Sequence, residues 1–168
     1  MPTDVEGPIA LRPVSRSGFP THELIAAGAT IARLGRDGSL RIFFGRGRRV
    51  ELVDGTEWRI KATTVGPYIV PVISARTGLV ATSGPVGGRR CYGINGRHFG
   101  FVLTPLGRVR LLRGVGWLMR RHQDEVATID TTDVMQTNEP VPIAAALMAF
   151  TLIDHGIPGE AKLMPTQQ

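Results

Sequence analysis

The chain has 168 residues and a net charge of +6, and 42% of its residues are hydrophobic. This length and hydrophobic fraction fit one domain with its own core. The single cysteine, Cys91, excludes an intrachain disulfide framework. Two of the 20 basic residues are lysines and the rest are arginines, which favour bidentate contacts to phosphate and carboxylate groups, although the codon usage of a GC-rich genome produces the same skew. The charge fits nucleic acid, an anionic membrane or an acidic protein as a partner.

The two ends of the chain are rich in loop-forming residues. Residues 1–22 contain four prolines and two glycines without a clear period, which predicts an extended N-terminal tail or a strap over the domain. Residues 161–168 are predicted to form a C-terminal tail, so the folded domain is expected over residues 23–160. No basic segment followed by an apolar stretch opens the chain, and we therefore expect a cytoplasmic protein without a signal peptide.

Strand signals are dense between Leu24 and Met135, where we count about twelve candidate strands. In the segment 56–61, Trp58 and Ile60 fall on one face and charged residues fall on the other. This period of two predicts half-buried strands. Because the aromatic residues alternate with arginines, we expect them in the core rather than in a stacking platform for single-stranded nucleic acid. The same alternation is found in the segments Arg97–Leu103, Arg108–Leu111 and Trp117–Met119.

Tight turns separate the candidate strands. Type I′ hairpin turns are predicted at Asp37-Gly38, Asp54-Gly55 and Asn95-Gly96, since both central residues of such a turn need a positive φ. An internal repeat matches Gly47–Trp58 with Gly88–Phe99 at an offset of 41 residues. It predicts two similar halves of one barrel related by a pseudo-twofold axis. The alternative is that a meander with tight turns repeats by chance.

The last apolar segment, Val141–Ile153, is hydrophobic on every side. A helix of this kind has to be buried all round, so we predict a central helix over residues 141–154 with Asn138 as its N-cap. A membrane span is the alternative, but the uncharged stretch Pro140–Ile153 has only 14 residues, and a span needs about 20. The predicted fold is mainly β: an antiparallel closed barrel of about twelve strands around one buried C-terminal helix.

Three segments resemble a known superfamily. Phe150-Thr151-Leu152-Ile153-Asp154, with Glu160 shortly after, is similar to the helix end of the phospholipid scramblases. The stretches Asn95–Phe99 and Leu103–Arg108 are similar to the hairpins of the same group. With about twelve strands before a buried helix, residues 24–160 resemble the Tubby C-terminal superfamily, which includes the LURP-one-related proteins and the scramblases.

The resemblance implies a closed barrel around the helix and binding of anionic lipid at a basic surface site. None of the lipid-site residues of Tubby domains is mapped onto this chain. The chain lacks the cysteine-rich segment and the following membrane segment of scramblases, so scramblase activity is not expected. The position of Asp130, Asp133, Asn138 and Glu139 before the helix is similar to that of a calcium-binding segment in scramblases. Their spacing does not follow a compact calcium loop, and we interpret them as ordinary acids near a helix N-terminus.

The candidate ligand site consists of arginines beside glycines. Such side chains can approach phosphates, and the backbone amides of the turns can help to cradle anions. The alternative is that these residues are solvated strand ends that keep the barrel soluble. The candidate anion-binding residues are Arg46, Arg48, Arg49, Arg89 and Arg90.

The sequence shows no constellation that indicates catalysis. The four histidines are scattered without zinc spacing, and no nucleophile elbow, P-loop or complete dinucleotide fingerprint is present. Cys91 is predicted to be a packed core thiol, with no base to activate it in view. We therefore expect no enzymatic activity, no cofactor and no metal.

These observations favour a binding module that is cytoplasmic and peripheral to the membrane. Its expected partner is an anionic lipid head group or another phosphate-bearing ligand. The alternative is a protein-interaction or scaffold domain without lipid binding. Nucleic acid is a weaker candidate, because no helix-turn-helix or ribonucleoprotein motif is present.

Overall fold

A computed structural model describes residues 4–14, 19–36, 48–86, 91–104, 109–114, 125–130 and 134–154. Twelve antiparallel strands form a closed barrel, two more strands form a small sheet, and the described residues contain one helix. The predicted fold class is confirmed. In chain order the elements are β1 (Asp4–Val5), β2 (Ile9–Pro13), β3 (His22–Ala26), β4 (Ala29–Arg36), β5 (Arg48–Leu52), β6 (Glu57–Val65), β7 (Tyr68–Ala75), β8 (Gly78–Pro85), β9 (Tyr92–Gly96), β10 (Gly100–Thr104), β11 (Val109–Arg113), β12 (Glu125–Ile129), β13 (Val134–Thr137), β14 (Val141–Pro142) and α1 (Ile143–Asp154).

The barrel is a simple meander. Strands β2 to β13 follow one another around the wall in chain order, and the ring closes where β13 pairs with β2 through Met135 and Ile9. In a meander the connections fall alternately at the two ends of the barrel. The end that carries the turns at residues 27–28, 53–56, 76–77 and 97–99 is called the turn end below.

The N-terminal segment is part of the fold. The sequence predicts an extended tail over residues 1–22, but Ile9–Pro13 lies in the barrel between β13 and β3, and Ile9 is fully buried. Asp4–Val5 pairs with Val141–Pro142. The tail prediction is wrong for these residues because Pro8 and Pro13 stand before and at the end of β2, where proline is compatible with a strand.

The helix fills the barrel and is buried on every side. From Ile143 to Leu152 no side chain is more than 6% exposed, and the helix packs chiefly against β7, β8 and β9. The helix begins at Ile143 rather than at Val141, since residues 141–142 pair with β1. The N-cap prediction is also wrong, because the amide of Asn138 donates to the Glu125 carbonyl instead, at 2.8 Å.

The predicted alternation of β6 is confirmed. Trp58 and Ile60 are 5% and 0% exposed and belong to the core, whereas Glu57 and Lys61 are exposed. Phe101 in β10 is 2% exposed and also faces the core. No helix among the described residues is long and apolar enough to cross a membrane.

The turns differ from the predicted type. Asp54-Gly55 does lie in a hairpin turn, but the Gly55 N–H donates to the Leu52 carbonyl at 2.9 Å, so Val53 and Asp54 are the central residues. Gly55 follows these two residues and has a positive φ of 93°. It is therefore the bulge residue of a three-residue loop. Asn95-Gly96 ends strand β9, and Asp37-Gly38 lies outside the described residues.

A turn with two positive φ angles occurs where the sequence analysis does not predict one. Ala27 and Gly28, with φ of 51° and 86°, join β3 to β4 between the paired residues Ala26 and Ala29. The missed signal is the glycine at the second position of a two-residue hairpin.

The internal repeat does not correspond to equivalent hairpins. Trp58 is the second residue of β6 and is buried, whereas Phe99 precedes β10 and is only half-buried. The two turns also do not match at the repeat offset of 41 residues, because residues 53–56 form one turn and residues 97–99 form the other. The predicted pseudo-twofold relation between these segments is therefore wrong. Gly47 and residues 88–90 lie outside the described residues.

Candidate functional site

The structure does not bring the predicted arginine site together. Arg46, Arg89 and Arg90 lie outside the described residues. Arg48 and Arg49 are neighbours in β5, and consecutive side chains of a strand point to opposite faces of the sheet. Arg48 is 7% exposed on the inner face with Val50, and Arg49 lies on the outer face. The two side chains therefore cannot hold one ligand.

Arg48 is part of a polar cluster inside the barrel wall. Its Nη2 atom lies 3.3 Å from Nδ1 of His22. A guanidinium group has only donors, so the histidine nitrogen accepts this hydrogen bond. The hydroxyl of Thr21 donates to the Leu34 carbonyl at 3.3 Å, and its oxygen lies 3.0 Å from the same histidine nitrogen. These contacts give Arg48 a structural role in joining β5 to β3.

Arg49 is neutralised on the outer face. Its Nε atom lies 2.9 Å from a carboxylate oxygen of Glu57, and its Nη2 atom lies 3.7 Å from Glu51. The guanidinium carbon also stands 4.5 Å from the centre of the Phe19 ring, a cation–π distance. Arg33 pairs with Glu51 as well, at 4.0 Å. We call Arg33, Arg49, Glu51 and Glu57 the charge-paired wall.

A groove of about 580 Å³ opens beside this wall, at the hairpin of β6 and β7. Arg59 and Lys61 contribute to it from β6, and Arg76 contributes from the turn between β7 and β8. In the described part of the chain, neither Lys61 nor Arg76 forms an ion pair. We call this feature the basic groove. Its lining residues are Gly55, Glu57, Trp58, Arg59, Lys61, Ser74, Ala75 and Arg76.

The register of the hairpin positions these cations. Arg59 pairs with Ser74, and Trp58 pairs with Ala75 one position closer to the turn end. Arg76 follows Ala75 directly, so its side chain starts at the same end of the groove as Gly55. The alternation of β6 shows that Arg59 and Lys61 share the outer face. It does not show that Arg76 lines the same groove, because that depends on the β6–β7 register.

The groove has the chemistry of an anion site. Three cationic side chains surround the groove, and the one carboxylate in its lining, that of Glu57, is paired with Arg49. Charge-assisted hydrogen bonds from arginine and lysine to phosphate oxygens are the strong ones among protein hydrogen bonds. The hydroxyl of Ser74 on β7 adds a hydrogen-bond donor to the lining. An anion in the groove would contact side chains of β6 and β7 and of the turn that follows β7.

The acidic residues before the helix have protein partners. Asp130 accepts a hydrogen bond from the Val134 N–H at 3.3 Å, and Glu139 pairs with Arg113. Asn138 uses its amide on the Glu125 carbonyl, and Asp133 lies outside the described residues. No group of three or more metal-ligating side chains occurs among the residues described.

Cys91 is buried, as the sequence predicts, at 3% exposure. Its thiol lies 3.5 Å from the Thr104 hydroxyl. His98 lies in the turn beyond the far end of β9, so the two are separated by the length of that strand. His122 lies outside the described residues. The geometry therefore does not pair this thiol with His98 as its base.

Comparisons of the chain with protein-family models, curated proteins and solved structures found no match. Function is therefore inferred from the geometry of the chain itself.

Proposed function

We propose that this protein is a non-catalytic module that binds an anionic, phosphate-bearing group in the basic groove. The group is a lipid head group or a soluble phosphate ester, and the protein acts in the cytoplasm or at the membrane surface. The observation that carries the proposal is that Lys61 and Arg76, two cations without an ion pair in the described structure, border one groove together with Arg59.

The proposal keeps the resemblance to the Tubby C-terminal superfamily. A twelve-stranded closed barrel with one buried helix is the fold that this resemblance implies. Lipid binding at a basic surface site is the function that it implies. We propose the groove as the site of that function, in place of Arg46, Arg48, Arg49, Arg89 and Arg90.

Titration calorimetry with inorganic pyrophosphate tests the proposal. We expect saturable binding to the full chain that weakens as salt is added, because screening reduces the attraction. The variants Lys61→Gln and Arg76→Gln should each lower the affinity about tenfold, since each removes a charge-assisted hydrogen bond.

Arg12→Gln is the matched control, because Arg12 is an exposed strand arginine of β2, outside the groove lining. This variant should bind pyrophosphate like the wild type. Equal losses in all three variants would indicate attraction by net charge alone and would count against a site in the groove. Absence of pyrophosphate binding in the wild type would contradict the proposal.

The charge-paired wall favours a second candidate function. Its arginines are neutralised by Glu51 and Glu57, which is typical of a surface that keeps a domain soluble. If pyrophosphate does not bind, a protein-interaction or scaffold domain is the function that remains.

A further inference from the structure

Exposed apolar side chains gather beside the basic groove. Three large apolar residues of the described chain are exposed: Val53 at 63%, Leu79 at 66% and Ile69 at 52%. Val53 lies in the turn between β5 and β6, and Leu79 is the second residue of β8, just after the neighbouring turn. Single exposed apolar residues are ordinary. Val53 lies in a turn and Leu79 pairs with Ser74 just beyond the next turn, so both exposed side chains lie at the same end of the barrel.

Cations flank these two side chains. Arg76 lies in the turn that precedes Leu79, and Arg97 lies in the turn between β9 and β10. These turns are neighbours because β8 pairs with β9 through Ala81 and Gly96. Arg76 and Arg97 form no ion pair within the described structure. The one carboxylate in the described turns of this end, that of Asp54 next to Val53, accepts the Thr56 N–H at 2.9 Å. Arg76 and Arg97 therefore give these turns more positive than negative charge beside the apolar side chains.

The shape of this surface favours a membrane over a protein. Val53 projects from a hairpin end, and Leu79 lies on the wall beside it, opposite Ser74 of β7. A specific protein interface buries at least about 1,000 Å² with close complementarity. Two exposed side chains do not supply such an area. A lipid interface accepts protruding apolar groups at its boundary and attracts cations to its anionic head groups.

We propose that the turn end docks on the surface of an anionic membrane. Val53 and Leu79 insert between the head groups, and Arg76 and Arg97 lie against the phosphates. This inference rests on the proposed function, because the basic groove opens at the same end and would take one head group. Ile69 lies five residues from Ser74 along β7, roughly 16 Å away at strand spacing, and stays outside the interface.

Vesicle flotation tests the orientation. The full chain should float with vesicles of phosphatidylcholine and phosphatidylserine and should not float with phosphatidylcholine alone. The double variant Val53→Ser with Leu79→Ser should bind the mixed vesicles roughly tenfold more weakly, because it loses the burial of apolar groups. Ile69→Ser is the matched control and should bind like the wild type. Thermal unfolding of each variant checks that the fold is kept.

Pyrophosphate titration of the same variants separates this inference from the proposed function. The Val53→Ser, Leu79→Ser variant should bind pyrophosphate as the wild type does. If pyrophosphate binds and the vesicles do not, the docking inference is wrong and the anion site stands. If neither binds, both the proposed function and the docking inference are wrong. Flotation that is unchanged in the double variant, or equal with neutral vesicles, would overturn the proposal that the turn end docks with Val53 and Leu79 inserted.

Discussion

The two faces of strand β6 differ in what they contribute. On the inner face, Trp58 and Ile60 are at most 5% exposed and pack in the core. On the outer face, Arg59 and Lys61 border the basic groove. Burial of apolar area dominates folding stability, whereas exposed charges contribute little to it. The inner face therefore decides whether the chain folds, and the outer face carries the proposed anion site.

The largest effect is expected where a charge enters the interior. Ala145 lies in the middle of α1 and is fully buried, so Ala145→Asp should prevent folding, because nothing there compensates a buried carboxylate. Circular dichroism should show the loss of the native spectrum. Thr63→Asp adds the same charge at an exposed position of β6 and should fold. A folded Ala145→Asp variant would contradict burial of the helix on every side.

The second effect concerns the aromatic residue on the inner face. Trp58→Ala should lower the free energy of unfolding by about 3–5 kcal/mol, the usual penalty for a large cavity. Lys61→Ala, three residues along on the outer face, should change it by less than about 0.5 kcal/mol. Urea unfolding of both variants measures the difference. Equal effects would remove the distinction between the two faces.

A substitution at Gly35 tests whether the outer face of β4 is packed against Phe19. A Cβ at this position would overlap the Phe19 ring, which lies against the wall. Gly35→Ala should therefore destabilise the fold by about 1–3 kcal/mol, as overpacking usually does. The double variant with Phe19→Ala relieves the overlap, so its loss should be smaller than the sum of the single losses. Additive losses would show that Phe19 does not lie on Gly35.

The smallest effect concerns pH at the turn end. Asp54 accepts a hydrogen bond from the Thr56 N–H at 2.9 Å, and this bond holds its pKa below the ordinary value of 3.8. A pKa that is lower in the folded state adds stability above the unfolded value, and this stability is lost as pH falls through the folded value. Titration by NMR should show the lowered pKa, and Thr56→Pro, which removes the donor, should raise the pKa toward the ordinary value. A normal pKa in the wild type would contradict this turn geometry.

The inner face could be predicted from the sequence because its signals are local. A period of two identifies Trp58 and Ile60 as inward residues, and the apolar segment before Asp154 is too short to span a membrane and too apolar to be half-exposed. Strand β2 escaped prediction because prolines lie beside it. Proline content alone does not distinguish a tail from a strand with proline at its end.

The outer face could be predicted only in part because it depends on register. Arg48 and Arg49 look like one basic site in the sequence, yet adjacent strand residues face opposite ways, so only Arg49 reaches the outside. The groove was missed because Arg76 is 15 positions from Lys61. They meet only through the pairing of β6 with β7 and the turn that follows.

The central claim is that the basic groove, rather than the paired arginines of β5, receives a phosphate-bearing group. Amide chemical shifts of the labelled chain during a pyrophosphate titration test it most directly. The shifts should concentrate at residues 55–61 and 74–76 and should saturate together. Shifts centred on Arg48 and Arg49, or spread evenly over the exposed arginines, would contradict it.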